Sequence, residues 1–306
     1  MPTPSLPPPR LRLVSLPALA AVVVWGASFP AVRVALESFH PLGLVSVRLA
    51  LGALFLAGAA RARGLPVLPR RGDRVASALL GLILGAHVVI QSFAMGMTAS
   101  IQAGWIVAFI PVLIALGGHL FLRQRLGMRA WSGVVLATAG VLLVASARLP
   151  DFAQAGLGDL LMLSSCFTWA AYCLLAPGPI ARSGSLPVTT LATLVSLALA
   201  LPATLWSGFL VRPPGVTGLA TVLFLGTVCS GLALVWWNRA VHQDGPARAG
   251  VTLYLQPFVT LASAMLLLGE RVTWQALVGG PVVLVGVWLT GRRARPVSEV
   301  RAPVGD

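Results

Sequence analysis

Arg33, Arg48, His87, Gln91, Asn238, Tyr254 and Gln256 are polar side chains lying inside or beside long apolar runs. Polar groups at membrane depth are costly, so they point by default to contact with a ligand or ion. An arginine at the centre of a membrane helix costs about 2.5–3.5 kcal/mol on insertion scales. Two readings are open for Arg33 and Arg48. In one, a guanidinium meets a substrate carboxylate. In the other, Arg33 forms an architectural or gating ion pair with Glu37, four residues on and on the same helical face, while Arg48 snorkels. His87 and Gln91 sit one turn apart on one face, which suits either a helix–helix hydrogen bond or a proton carrier. Tyr254 lies one turn before Pro257, where its hydroxyl could meet freed backbone or a ligand.

The tryptophans divide by depth. Trp131, Trp206, Trp274 and Trp288 fall near segment ends and read as interfacial anchors. Trp25, Trp105, Trp169, Trp236 and Trp237 fall deeper. Aromatic walls suit an apolar or zwitterionic solute, or a cation held over a ring face, and core packing is the alternative for each ring. The cavity candidates are therefore Trp25, Arg33, His87, Gln91, Trp105, Trp169, Tyr172, Trp237, Asn238, Tyr254 and Gln256.

Other chemistry is poorly supported. The four histidines are scattered, there is no HExxH, and no Ser/His/Asp set is evident. An enzyme is not expected, and no catalytic, metal or cofactor site is assigned. Cys166 and Cys173 are seven residues apart on one expected helix, roughly 10 Å of rise and too far for a mutual disulfide. Glu37, Asp159 and Glu270 fall at expected helix ends. The lack of a mid-membrane carboxylate argues for facilitated diffusion or exchange over proton or sodium drive, unless His87 or His119 carries the proton.

The elements that must position these residues are membrane helices. Of the residues, 57% are hydrophobic and 10% charged, against about 25% charged in an average soluble domain. Apolar blocks near 15–36, 41–60, 75–96, 99–122, 128–147, 158–176, 186–206, 216–238, 246–268 and 273–291 have the length that crosses roughly 30 Å of hydrocarbon. They are apolar all round, which favours helices over a barrel. The expected fold class is thus an all-α polytopic membrane protein with ten transmembrane helices. A signal peptide competes for the first block, which follows Arg10 and Arg12. That block continues past any cleavage site, and Trp25 has a counterpart at Trp169.

The net charge of +14 comes from 22 basic residues, all arginine. No continuous basic face with stacking aromatics is present, so nucleic acid is not an expected partner. The arginines read as topology. With a cytoplasmic N-terminus, the inside holds Arg10, Arg12, Arg61, Arg63, Arg70, Arg71, Arg74, Arg123, Arg125, Arg129, Arg182, Arg239, Arg248, Arg292, Arg293, Arg295 and Arg301. The outside holds only Arg148, Arg212 and Arg271. That is a strong positive-inside bias for a cell inner membrane protein with both termini cytoplasmic.

The chain is also duplicated. Residues 103–143 reappear in outline 146 positions later: Ala103-Gly104 with Ala249-Gly250, Pro111 with Pro257, Leu122 with Leu268, Arg125 with Arg271, Gly133 with Gly279 and Gly140 with Gly286. Five segments per copy is an odd number, so the copies are inverted. The organisation expected is a tail at 1–14, a first five-helix repeat at 15–147, a linker at 148–157, a second repeat at 158–291 and a tail at 292–306. Inverted repeats are the architecture of carriers that expose one site to two sides in turn. Pro111 and Pro257 lie mid-segment and predict paired kinks. The paired glycines place small residues two turns apart on segments 5 and 10, a close-packing face. Gly81 and Gly85 form another small-residue face, which leaves intramolecular packing and homodimerisation equally open.

Several motifs, taken in order, resemble an EamA-type member of the drug/metabolite transporter superfamily over about residues 15–291. They are Trp25-Gly26-Ala27-Ser28-Phe29, Pro41-Leu42 with Val47-Arg48-Leu49, and Gly158-Asp159-Leu160-Leu161 with Trp169-Ala170. The longest is Pro257 through Leu268-Gly269-Glu270-Arg271, with Gly279 and Gly286. The resemblance implies ten helices, cytoplasmic termini and a central cavity lined by segments 1, 3, 4, 6, 8 and 9. It implies transport, mostly export, of an amino acid or related small metabolite, with the lipid bilayer as the other partner. The chain departs from the family at Arg123-Gln124-Arg125, where Gly-Glu-Arg is common, so Gln124 is given no role. A flippase or exporter of lipid-linked or drug-like substrates uses similar helices and is the alternative. Paired mid-segment prolines speak against a channel.

Overall fold

The computed structural model describes residues 15–122, 127–145 and 155–291. The expected tails at 1–14 and 292–306, most of the linker at 148–157, and Arg123, Gln124 and Arg125 lie outside the described residues. Among the described residues the fold is all helix, with no strand and one antiparallel bridge, Phe39 to Leu210. In chain order the helices are α1 (Leu16–Leu36), α2 (Pro41–Ala62), α3 (Arg74–Met97), α4 (Ser100–Val107), α5 (Ile110–Leu122), α6 (Met128–Ala145) and α7 (Ala155–Leu175). They continue with α8 (Pro177–Ser183), α9 (Ser185–Ser207), α10 (Val216–Leu223), a π-helical stretch (Phe224–Ala233), α11 (Leu234–Asp244) and α12 (Pro246–Val251). A 3-10 turn (Thr252–Leu255) leads into α13 (Gln256–Leu268), and α14 (Trp274–Gly291) follows.

Seven stretches are long and apolar enough to cross a membrane: Leu16–Leu36, Pro41–Ala62, Arg71–Met97, Ser100–Phe121, Gly156–Leu175, Ser185–Ser207 and Val216–Asp244. They coincide with seven of the expected segments. The expected segments at 128–147, 246–268 and 273–291 contain the shorter apolar helices Trp131–Val144, Thr252–Leu268 and Trp274–Gly286. The outward faces of the bundle are apolar too: Trp206, Leu266 and Phe121 are almost wholly exposed. Such a surface suits lipid as its solvent.

The two prolines do not kink continuous helices, as their spacing suggested. Each is the second residue of a new helix, Pro111 in α5 and Pro257 in α13. There the missing N–H has no intrahelical partner to lose and the fixed φ suits the first turn. The breaks lie just upstream, at Ala108–Phe109 and at the 3-10 turn Thr252–Leu255. Phe109 N–H donates to Ile106 O at 3.0 Å, and Val112 N–H to Phe109 O at 3.0 Å, which tightens the first break.

Glycines set the closest helix approaches. A Cβ on Gly140 would lie 2.6 Å from Val283 N, and one on Gly286 2.3 Å from Ala137 N, so α6 and α14 touch backbone to backbone, as expected. Gly81 and Gly85 face α9: a Cβ on Gly81 would meet Ala192 O at 2.6 Å, and Ser196 Oγ donates to Gly81 O at 2.8 Å. That small-residue face is therefore used within the chain. Elsewhere α3 packs on α7 and α9, α2 on α9 and the π-helical stretch, and α1 on α13 and the π-helical stretch.

Candidate functional site

A cavity opens where these packings meet. It encloses about 640 Å³ of non-atom space, its open mouth included. Both halves of the chain wall it. The first half supplies Trp25, Ser28, Phe29, Arg48, His87 and Gln91. The second supplies Trp169, Cys229, Ser230, Leu253 and Gln256. Gly26 lets α1 close on α13, since a Cβ there would lie 2.6 Å from Val259 Cβ. That approach fixes the height of Trp25. Trp25 Nε1 donates to Cys229 O, in the π-helical stretch, at 3.2 Å.

One wall is aromatic. Trp25 meets Trp169 edge to face, with ring centres 5.1 Å apart at 88°. Trp237 lies 5.5 Å from Trp25 and 6.0 Å from Trp169. Tyr172 stacks on Trp169 at 5.3 Å and 11°, and the His87 ring lies 5.1 Å from Trp169. Behind the rings, Asn238 Nδ2 donates to Tyr172 Oη at 2.8 Å and Thr189 Oγ1 at 2.7 Å. Tyr172, Trp237 and Asn238 are fully buried. Asn238 Oδ1 has no hydrogen-bond partner among the described residues.

The polar lining is neutral apart from Arg48. His87 Nδ1 is 3.0 Å from Ser165 O, so that nitrogen carries the proton and ties α3 to α7. This is the helix–helix role expected as one alternative for His87. Arg48 is buried, and its Nε donates to Ser230 Oγ at 3.0 Å. Among the described residues, none that lines the cavity is acidic.

A second polar cluster, away from the cavity lining, ties helix ends together. Gly269, at φ +62°, ends α13 in the left-handed region and turns the chain so that Glu270 reaches α4. Glu270 Oε1 and Oε2 accept from Ser100 N at 3.1 Å and Ile101 N at 3.0 Å, a carboxylate cap on the α4 N-terminus. Arg33 Nη1 lies 3.7 Å from Glu270 Oε1 and donates to Thr98 O at 3.1 Å. Asp159, in the first turns of α7, is buried and accepts from Thr98 Oγ1 and Gln102 Nε2.

Of the sequence candidates, the structure brings Trp25, His87, Gln91, Trp169 and Gln256 to the cavity, together with Arg48. Tyr172, Trp237 and Asn238 form the layer behind it. Tyr254 is half-buried against the core. Trp105 does not reach the cavity: it packs on Phe258 and over Gly280, in a separate cluster with Val144 and Ala276. The Arg33–Glu37 pair is corrected as well. Arg33 pairs with Glu270, and Glu37 pairs with Arg212 at 2.7 Å on the surface. A long arginine can reach a carboxylate on another helix, so same-face spacing does not choose the partner. Ser28, Phe29 and Ser230 were missed. Ser28 and Phe29 follow Trp25 by about one turn, a signal that could have found them; nothing in the sequence marks Ser230. Asp159 was read as a helix-end residue, and its burial depends on contacts with α4 that spacing does not reveal.

Known proteins share this organisation. The family described as EamA-like transporter family matches the chain twice, at residues 13–146 and 156–292. A probable terminal-alkyne amino-acid exporter of Streptantibioticus cattleyicolor is 30% identical over 275 residues, covering 89% of this chain and 91% of its own. Probable amino-acid metabolite efflux pumps of Salmonella typhimurium and Escherichia coli are 29% and 28% identical, each over 92% of this chain and 97% of theirs. One solved crystal structure, 18% identical, covers 90% of this chain and 95% of its own with a TM-score of 0.68, a likeness of fold.

Proposed function

This chain belongs to the EamA-like transporter family and is a multi-pass membrane transporter; from that premise we propose that it moves a small organic metabolite, an amino acid or a related compound, by alternating access through the cavity between its two halves. The direction proposed is export, because the relatives carrying a named activity are an amino-acid exporter and amino-acid metabolite efflux pumps. The setting is the cell inner membrane with both termini cytoplasmic. The ten spans form inverted repeats at 15–147 and 158–291, joined by the linker at 148–157.

The observation that carries this reading is a cavity walled by duplicate positions, Trp25 from one repeat and Trp169 from the other, in contact at 5.1 Å. The packing supports it. Duplication exchanges α1 with α7, α2 with α9, α3 with the α10–α11 stretch, α4–α5 with α12–α13, and α6 with α14. The contacts of α3 with α7 and α9 are then matched by those of the π-helical stretch with α1 and α2. The contact of α1 with α13 is matched by those of α7 with α4 and α5. Broken helices beside a central site, as at Phe109 and Thr252–Leu255, are a recurring feature of such carriers.

Counterflow of labelled amino acids into liposomes tests the proposal, with Trp169→Ala as the paired variant. Saturable counterflow of one solute class that weakens in the variant is the expected outcome. Folded protein that supports no counterflow across a broad panel would move the reading to a lipid-linked or amphipathic substrate.

A further inference from the structure

Arg48 is a buried arginine with no ion-pair partner among the described residues. It is 7% exposed, in the first half of α2, and its Nε is engaged by the neutral hydroxyl of Ser230. The ion pairs among the described residues are Arg33 with Glu270, Arg182 with Asp73 and Arg212 with Glu37; none includes Arg48. A buried guanidinium without a counter-ion is costly, and an anion arriving beside it offsets that cost. The planar fork suits a carboxylate in particular.

The rest of the lining constrains the other end of the ligand. Trp25, Phe29 and Trp169 offer apolar surface, and His87, Gln91 and Gln256 are neutral amide or imidazole groups. Among the described residues no carboxylate lines the cavity to receive an ammonium. Asp159 and Glu270, the nearest candidates by sequence to the cavity helices α7 and α13, are engaged by Thr98, Gln102 and the α4 backbone.

We propose that the cavity selects monocarboxylates with an apolar tail, held by the carboxylate at Arg48 with the tail against Trp25, Phe29 and Trp169, and that it does not select for an α-ammonium group. The proposal rests on the carrier reading and narrows it. An amino acid and its deaminated acid are both ligands, whereas the corresponding amine is excluded.

The test is isothermal titration calorimetry of the full-length protein in nanodiscs with two matched series. One is L-phenylalanine, 3-phenylpropanoate and 2-phenylethylamine; the other is L-leucine, 4-methylpentanoate and 3-methylbutylamine. In at least one series the two carboxylates bind comparably. The amine binds about thirtyfold or more weakly, the consequence of leaving one member of a buried charge pair unmatched. Arg48→Gln lowers carboxylate affinity by a similar factor and removes the preference over the amine. Ser230→Ala, which keeps the charge and frees Nε, lowers it by roughly two- to tenfold. If Arg48→Gln does not fold, the wild-type ranking and Ser230→Ala decide. An amine that binds as tightly as its amino acid overturns the proposal. So does an acid preference that survives in Arg48→Gln, or the absence of binding in both series. Liposome counterflow of a non-acidic solute would then leave the carrier reading standing without this one.

Discussion

Two clusters bracket the cavity helices, and they hold by different physics. At one, Arg33, Thr98, Gln102, Asp159, Glu270 and the first amides of α4 form a clasp of charged and amide groups. At the other, Trp25, Trp169, Tyr172 and Trp237 form a plug of rings. Both draw on α1 and α7. The clasp depends on directional bonds that weaken steeply with small displacements. The plug depends on area and dispersion, which fall off gradually as rings slide. A given displacement would therefore cost the clasp more steeply than the plug.

Their relation to the duplication differs as well. The plug takes duplicate positions from both repeats, Trp25 and Trp169. The clasp has no copy: Thr98, Gln102 and Asp159 correspond to Asp244, Arg248 and Ser15, and Glu270 to Gln124.

The comparison can be broken at the plug most severely. Trp169→Ala removes the ring shared by Trp25, His87, Tyr172 and Trp237, and should cost about 3–5 kcal/mol of stability in denaturant titration of the purified protein. Trp169→Phe should recover most of that. At the clasp, Glu270→Gln keeps size but loses the charge that faces Arg33 and two backbone amides. Its expected cost is about 1.5–3 kcal/mol, with faster hydrogen exchange confined to the first turn of α4. Asp159→Asn keeps one acceptor for Gln102 and should cost about 1–2 kcal/mol by the same titration. The smallest effect sharpens the contrast between buried and exposed charge. Glu37→Gln breaks an exposed ion pair with Arg212 and should change stability by about 0–1 kcal/mol. A Glu37→Gln effect as large as that of Glu270→Gln would erase the distinction.

Much of the frame was legible in the chain. Apolar run length located seven stretches long enough to span a membrane, the paired glycines marked close-packing positions on α6 and α14, and repeat matching singled out Trp25 and Trp169. Local spacing fails where partners come from distant segments. Arg33 has Glu37 one turn away, yet it finds Glu270 from the other half of the chain, because Gly269 turns that carboxylate onto α4. Trp105 also falls inside its run, but its face of α4 meets α13 and α14. The prolines were located correctly and their effect was not, because a break upstream converts an interior proline into a helix start.

The central claim is that one cavity is reached from two sides in turn. Val88 lines that cavity and is almost fully buried. A Val88→Cys variant, with Cys166, Cys173 and Cys229 replaced by alanine, can be reacted with a membrane-impermeant maleimide from either face of sealed vesicles. Alternating access predicts reaction from both faces, with bound substrate shifting the ratio of the two rates, and no leak of small ions. Reaction from one face under every condition, or from both faces together with an ion leak, would contradict it.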